Sequence, residues 1–121
     1  MVHVQRLLES AGWAVSDVSQ ERVGYDLRAR RHYRQRLIEV KGIWDSAAST
    51  GIRLTGDEMI RAGIHGRDYW LYVVDQCKDG RGTLRAVVQD PADAFDGLTR
   101  DVAVLSIKGS DLMNAPQADP T

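Results

Sequence analysis

The sequence is poor in cysteine, in proline and in long apolar runs. Its 121 residues include one Cys, three Pro and one Phe. A lone cysteine, Cys77, excludes an internal disulfide, and its place after the apolar stretch WLYVVDQ predicts buried packing. No apolar run is long enough to cross a bilayer, and the opening MVHVQRLLES lacks a secretory pattern. These absences predict a cytoplasmic protein without a membrane partner.

A strong net charge is also missing. The formal net charge is −1, which argues against tight nucleic-acid binding through charge alone. The charges are unevenly spread, because residues 1–56 hold nine Lys and Arg against six Asp and Glu, and residues 57–121 hold seven against eleven. The basic excess comes from arginines in and just before one predicted hairpin: Arg22, Arg28, Arg30, Arg31, Arg34 and Arg36.

The length suits one domain, which we expect over residues 1–110, with a disordered tail over residues 111–121. Periodicity predicts an opening helix, a strand at WAVSDV, two hairpin arms, and a helix after a capping box at Thr55–Glu58. Strands are predicted at DYWLYVVDQ, TLRAVVQ and DVAVLSI. The pattern indicates an α/β (α+β) fold, a mixed sheet flanked by helices, whose first seven elements run α-β-β-β-α-β-β.

The hairpin over residues 24–42, GYDLRARRHYRQRLIEVKG, carries charges at unusual positions. A turn at its centre pairs residues whose numbers sum to 65, which puts Asp26 opposite Glu39. Residues two apart on a strand share a face, so Asp26, Glu39 and Lys41 should project from one face, and Tyr25 from the other. Opposed carboxylates repel each other, which favours a compensating divalent cation.

A hard cation such as Mg²⁺ or Mn²⁺ suits these side chains. Because Mg²⁺ takes one or two carboxylates and often a backbone carbonyl, we expect Asp26, Glu39 and the Val40 carbonyl as its ligands. The ion would activate a water for phosphodiester cleavage, and Lys41 would orient that water and stabilise the developing charge. Glu58 is expected to close the capping box, with an accessory role in this site as the alternative. In another interpretation, Glu39 and Lys41 are an ordinary solvated strand face.

Three arginines and one tryptophan are candidates for contact with nucleic acid. Arg28 and Arg30 should share the face of Asp26 and hold a phosphate backbone there, and Arg53 is a further candidate. A solvated strand is the alternative for these arginines. Trp44 either covers the core or stacks on an unpaired base.

An Asp shortly after a Gly, followed by an apolar-Glu-apolar-Lys strand, resembles the PD-(D/E)xK phosphodiesterase superfamily. The resemblance is closer to one branch, the No-Vein carboxy-terminal type domain, a module often attached to helicase or other ATPase regions. Five motifs within residues 1–107 carry it: Gly24-Tyr25-Asp26, Ile38–Gly42, Thr55–Glu58, Tyr69–Val74 and Asp90-Pro91. The resemblance implies a restriction-endonuclease-like fold, with metal-binding and water-activating roles for Asp26, Glu39 and Lys41.

One feature of that superfamily is missing here. Relatives often carry a further Glu on the first helix, whereas the matching position falls near Met1, and Glu9 is predicted to face solvent. Two hypotheses follow: a Mg²⁺- or Mn²⁺-dependent nuclease in DNA processing or defence, or an inactive nuclease-fold module that binds nucleic acid or a partner protein. A third is an interaction domain with no nucleic-acid role. For the nuclease we expect DNA rather than RNA, a helicase or ATPase partner or fused domain, and a homodimer, since cutting two strands needs two sites.

Overall fold

The computed structural model describes residues 1–96 and 104–121. Its helices are α1 Val2–Ser10, α2 Ala47–Thr50, α3 Gly56–His65, α4 Pro91–Ala94 and α5 Gly109–Asn114. Its strands are β1 Ala14–Asp17, β2 Leu27–Arg31, β3 Arg34–Gly42, β4 Ile52–Thr55, β5 Tyr69–Asp75, β6 Thr83–Gln89 and β7 Val104–Ile107. Within the described ranges, no helix has the length and apolar character needed to span a membrane.

Five strands form a central mixed sheet in the order β1-β2-β3-β5-β6. β3 and β5 run parallel, and the other neighbouring pairs are antiparallel. The predicted α/β fold, a mixed sheet flanked by helices, is therefore confirmed. β5 is buried along its whole length, as its continuous apolar run predicts. The strand ends at Asp75, however, so Cys77 is not in a buried strand but is half-buried in the turn that follows.

A second sheet, made of β4 and β7, was not predicted as such. The two strands pair antiparallel over four residues each, and the first three residues of the predicted stretch DVAVLSI lie outside the described residues. Their inward side chains join one apolar cluster with β5, namely Ile52, Leu54, Leu105, Ile107, Leu71 and Val73. A four-residue strand offers only two inward positions, too short a pattern to distinguish IRLT from a loop.

Different helices cover the two faces of the central sheet. α1 packs on one face, in an apolar cluster that includes Leu8 and Ile38. α3 packs on the other face through Ala62, in a cluster that includes Leu37. Alternation along β3 therefore turns Glu39, which shares the side of Leu37, toward α3.

The segment over residues 111–121 differs from the predicted disordered tail. Gly109–Asn114 form α5, in which Leu112 is fully buried, and the predicted domain boundary at residue 110 falls inside this helix. Beyond α5, the Ala118 amide donates to the Val87 carbonyl of β6 at 2.9 Å. The segment is held mainly through backbone groups, which its composition does not reveal.

Arg36 ties this segment to the α1 face of the sheet. Its guanidinium lies over the rings of Trp13 and Trp70, at 4.5 and 3.8 Å from their centroids. Its Nη1 donates to the Tyr72 hydroxyl at 2.6 Å and to the Pro120 carbonyl at 3.0 Å. Arg36 is only 8% exposed, so one arginine of the basic hairpin has a structural role.

Candidate active site

The regular pairing of the hairpin stops one residue short of Asp26, so its predicted place opposite Glu39 stays a prediction. Leu27 pairs with Ile38, and the sum of 65 continues to the turn, as predicted. One residue before β2, the Asp26 amide donates to the Ile38 carbonyl at 2.8 Å. The Asp26 carboxylate oxygen Oδ2 accepts a hydrogen bond from the Val40 amide at 2.9 Å. These two bonds fix Asp26 beside the strand that carries Glu39.

Lys41 lies between two carboxylates from different elements. Its Nζ is 3.3 Å from Glu39 Oε2 on the same strand and 2.7 Å from Glu58 Oε1 at the start of α3. The same Glu58 oxygen accepts the Thr55 amide at 2.9 Å and completes the predicted capping box. Glu58 therefore caps the start of α3, as predicted, and its carboxylate also binds Lys41.

Glu39 is almost excluded from solvent, with 5% of its surface exposed. Burial, then its hydrogen bond and charge repulsion with Glu58, raise the pKa of Glu39 to about 9, against the attraction of Lys41. The raised pKa favours the protonated form of Glu39. This buried position does not fit the interpretation of Glu39 as part of a solvated strand face.

Lys41 and Glu58 form a charged pair. Burial acts to lower the pKa of Lys41, but the hydrogen bond to Glu58 and the charges of both glutamates outweigh it and raise that pKa. Burial acts to raise the pKa of Glu58, yet Lys41 and the Thr55 amide lower it overall. Lys41 is thus an ammonium at neutral pH, suited to donate hydrogen bonds rather than to accept a proton.

Tyr69, for which the sequence indicated only a strand position, lies against the same cluster. Its hydroxyl donates to the Gly24 carbonyl at 2.7 Å. Burial and then four carboxylates raise its pKa, those of Glu39, Glu58, Asp26 and Asp57. Four carboxyl groups therefore lie near Tyr69, the first residue of β5. The parallel pairing of β3 with β5 brings Tyr69 there, and no local motif signals that pairing.

Gly24 lets α3 approach the hairpin closely. It has a φ of +87°, and a Cβ at this position would lie 2.2 Å from Arg61 Cγ. The Arg61 Nε is buried without a hydrogen-bond partner in the described part of the chain. The Gly of the Gly-Tyr-Asp motif therefore serves helix packing beside the acidic cluster.

Two of the arginines predicted to bind nucleic acid, Arg28 and Arg30, lie two residues apart on β2, whereas Arg53 lies on β4. Arg28 donates to the Tyr25 hydroxyl at 3.1 Å. The prediction that Tyr25 projects from the opposite face is wrong, because β2 begins only at Leu27 and Tyr25 packs on the α3 side. Arg30 is exposed near the hairpin turn, and Arg53 is exposed on β4, where it lines a separate surface groove.

Two further predictions concern exposed side chains. Trp44 is 70% exposed, so the interpretation that it covers the core is wrong, and stacking on a base stays a prediction. Glu9 is exposed on α1, as its helical position predicted.

In residues 1–96 and 104–121, no group of three or more His, Cys, Asp or Glu side chains is arranged to hold a metal ion.

These features define an α/β domain with a partly buried cluster, Asp26, Glu39, Lys41 and Glu58, where the sheet meets the start of α3. A family model described as Protein NO VEIN, C-terminal, matches residues 1–87, and the chain belongs to this family. The matched range contains all four members of the cluster: Asp26, Glu39, Lys41 and Glu58. Searches of curated proteins and of solved structures returned no match.

Proposed function

We propose that this chain is a metal-dependent nuclease or nuclease-like domain of the PD-(D/E)xK type. It would hydrolyse phosphodiester bonds of nucleic acid, DNA rather than RNA, within a DNA-processing or defence system. The observation that supports the proposal is Lys41 held between the carboxylates of Glu39 and Glu58, with Asp26 hydrogen-bonded to the Val40 amide of β3. Acidic ligands beside an ammonium donor are the groups that phosphodiester hydrolysis requires.

The donor set has the chemistry of a Mg²⁺ or Mn²⁺ site. Asp26, Glu39 and the Val40 carbonyl offer hard oxygen ligands, and Glu58 adds an accessory carboxylate. Three carboxyl groups lie around one ammonium, and burial, followed by the hydrogen bond and charge of Glu58, raises the pKa of Glu39. A bound divalent cation would supply Lewis-acid activation of a water and of a phosphate oxygen. Glu39 must release its proton to act as a ligand.

The chain's own residues divide the remaining tasks. The Lys41 ammonium has three donor hydrogens, and contacts with Glu39 and Glu58 leave one for a water or a phosphate oxygen. Besides offering an accessory carboxylate, Glu58 positions Lys41. Its capping-box bond to the Thr55 amide anchors it, so the direction of the Lys41 side chain is set by the start of α3.

The test is cleavage of labelled single-stranded and duplex DNA in Mg²⁺ or Mn²⁺, with EDTA as the blank. We expect Asp26→Asn and Lys41→Ala to lower the rate about 100-fold or more, the scale for loss of one charge-stabilising group. Asp45→Asn and Lys78→Ala are matched controls, because these residues form an exposed ion pair. Cleavage that survives Asp26→Asn and Lys41→Ala at the control rate would refute the assignment.

A second candidate function is a catalytically inactive module of the same fold that binds nucleic acid or a partner protein. The observation that favours it is that Lys41 lies within ion-pair distance of both Glu39 and Glu58, which offsets much of the acidic charge. For either function, we also propose a helicase or ATPase, as a separate partner or as a fused domain. For the nuclease, we further propose a homodimer with two sites.

A further inference from the structure

An open cavity of about 990 Å³ lies at the turn between β2 and β3, and its lining is strongly basic. Five arginines and two aspartates contribute to it. The turn belongs to the same hairpin as the acidic cluster. Arg34 begins β3, and Glu39 follows five residues later, about 17 Å along the strand at 3.3 Å per residue.

Two of the five arginines are already engaged by the protein. Arg36 is buried between two tryptophans and hydrogen-bonded, as described above. Arg31 donates to the Ala11 carbonyl at 2.8 Å and lies 4.3 Å from the ring centroid of Trp13. These two side chains therefore form part of the wall of the cavity.

The other three arginines, Arg30, Arg34 and Arg67, are exposed. None of them forms an ion pair with a carboxylate among the described residues. Three exposed guanidinium groups around one cavity are not explained by the packing of the fold. They match the spaced negative charges of a phosphate backbone.

An aromatic side chain stands beside them. Tyr33 is at the hairpin turn and is fully exposed. His32, the residue before it, has a φ of +56°, which turns the chain tightly there. A ring presented in this way offers both faces to a base that is free of its partner strand, because stacking needs an unpaired base.

We propose that the β2–β3 turn is a binding site for single-stranded nucleic acid. Arg30, Arg34 and Arg67 contact successive phosphates, and Tyr33 stacks on one base. The ligand class of this site rests on the proposed function. The site adds to that function the strandedness of the ligand and the surface that binds it.

The test is fluorescence anisotropy of a labelled twelve-residue oligo(dT) with the full chain in EDTA, at several salt concentrations. Because EDTA removes divalent ions, the result does not depend on cleavage and separates failure of this site from failure of the proposed function. We expect Arg30→Ala, Arg34→Ala and Arg67→Ala combined to weaken binding. The slope of log affinity against log salt should fall by about 2, at about 0.7 per lost phosphate contact on single strands.

The matched control is the triple variant Arg6→Ala, Arg81→Ala, Lys108→Ala, which removes the same charge from exposed basic residues elsewhere. It should keep the wild-type slope. Tyr33→Ala should weaken binding about 5- to 150-fold, and Tyr33→Phe should restore it. Circular dichroism of each variant checks that the fold is retained.

Three results would overturn the proposal. Equal losses in both triple variants would mean that binding follows overall charge. Tighter binding of duplex DNA, with no effect of Tyr33→Ala, would exclude a single-strand site. Displacement of the oligonucleotide by an acidic peptide at a lower concentration than by unlabelled oligo(dT) would assign the surface to a protein partner.

Discussion

Among single residues, Glu39 has the environment that most affects the chemistry of the site. It is a carboxyl group 5% exposed, in contact with a second carboxyl group and an ammonium. A glutamate in a buried strand is recognisable in the sequence from its apolar neighbours Ile38 and Val40. Its partner Glu58 is nineteen positions away and is brought near by the packing of α3, which no local pattern reports.

The raised pKa of Glu39 predicts a pH dependence of stability. The folded state keeps this proton up to about pH 9, whereas the unfolded chain releases it near its ordinary value of 4.5. The stabilising contribution is therefore complete below pH 4.5 and is lost as pH rises toward 9. We expect urea unfolding at pH 5, 7 and 9 to show a decline in free energy of unfolding that Glu39→Gln reduces.

The control for this measurement is Glu9→Gln, since Glu9 is an exposed glutamate on α1. It should leave the pH dependence of the wild type in place. If Glu39→Gln shows the same decline as the wild type, Glu39 is not the group that titrates.

Among the elements, the hairpin was predictable, whereas β4 and α2 were not. The register of β2 with β3 follows from the central turn and the alternation of apolar residues, and the structure agrees with it. The prediction for Tyr25 assumed the side-to-side alternation of a strand. The chain there is a loop, with Gly24 in the left-handed region of backbone conformation. The strand β4 and the helix α2 are four residues each, which is too short for a periodic signal.

Packing of α3 on the hairpin predicts that Gly24→Ala destabilises the protein. The new Cβ meets Arg61 Cγ, and an L-residue at a φ of +87° is strained. We expect a loss of about 2 kcal/mol or more in the free energy of unfolding, since left-handed strain alone costs about 1–2 kcal/mol. Urea denaturation measures it.

Gly63→Ala is the matched control, because Gly63 lies in the interior of α3 and a Cβ there meets nothing within 4 Å. It should leave stability unchanged or raise it by up to about 1 kcal/mol. A Gly24→Ala variant as stable as Gly63→Ala would contradict the close approach of α3 to the hairpin.

For the whole molecule, the terminal segment completes the α1 face of the sheet. Deleting residues 115–121 removes the Pro120 carbonyl from Arg36 and Tyr72, and the Thr121 carbonyl from Trp13. We expect a loss of about 1–3 kcal/mol in the free energy of unfolding, the range for leaving a buried polar group unpaired. Emission of Trp13 and Trp70 should shift to longer wavelength, measured in a Trp44→Phe background because Trp44 is already exposed.

Asp119→Asn is the control for this deletion, since Asp119 is exposed and the segment is held chiefly by backbone groups. Its stability and emission should match those of the parent. A deletion variant with unchanged stability and emission would show that residues 115–121 do not pack on this face.

The central claim is that Asp26, Glu39 and Lys41 belong to one metal-dependent site, and calorimetric titration with Mn²⁺ tests it most directly. At pH 7 we expect one binding event whose heat changes with the ionisation enthalpy of the buffer, because Glu39 gives up its proton on binding. Binding should disappear in Glu39→Ala and persist in Asp45→Ala. No binding by the wild type, or equal binding by Glu39→Ala, would contradict the claim.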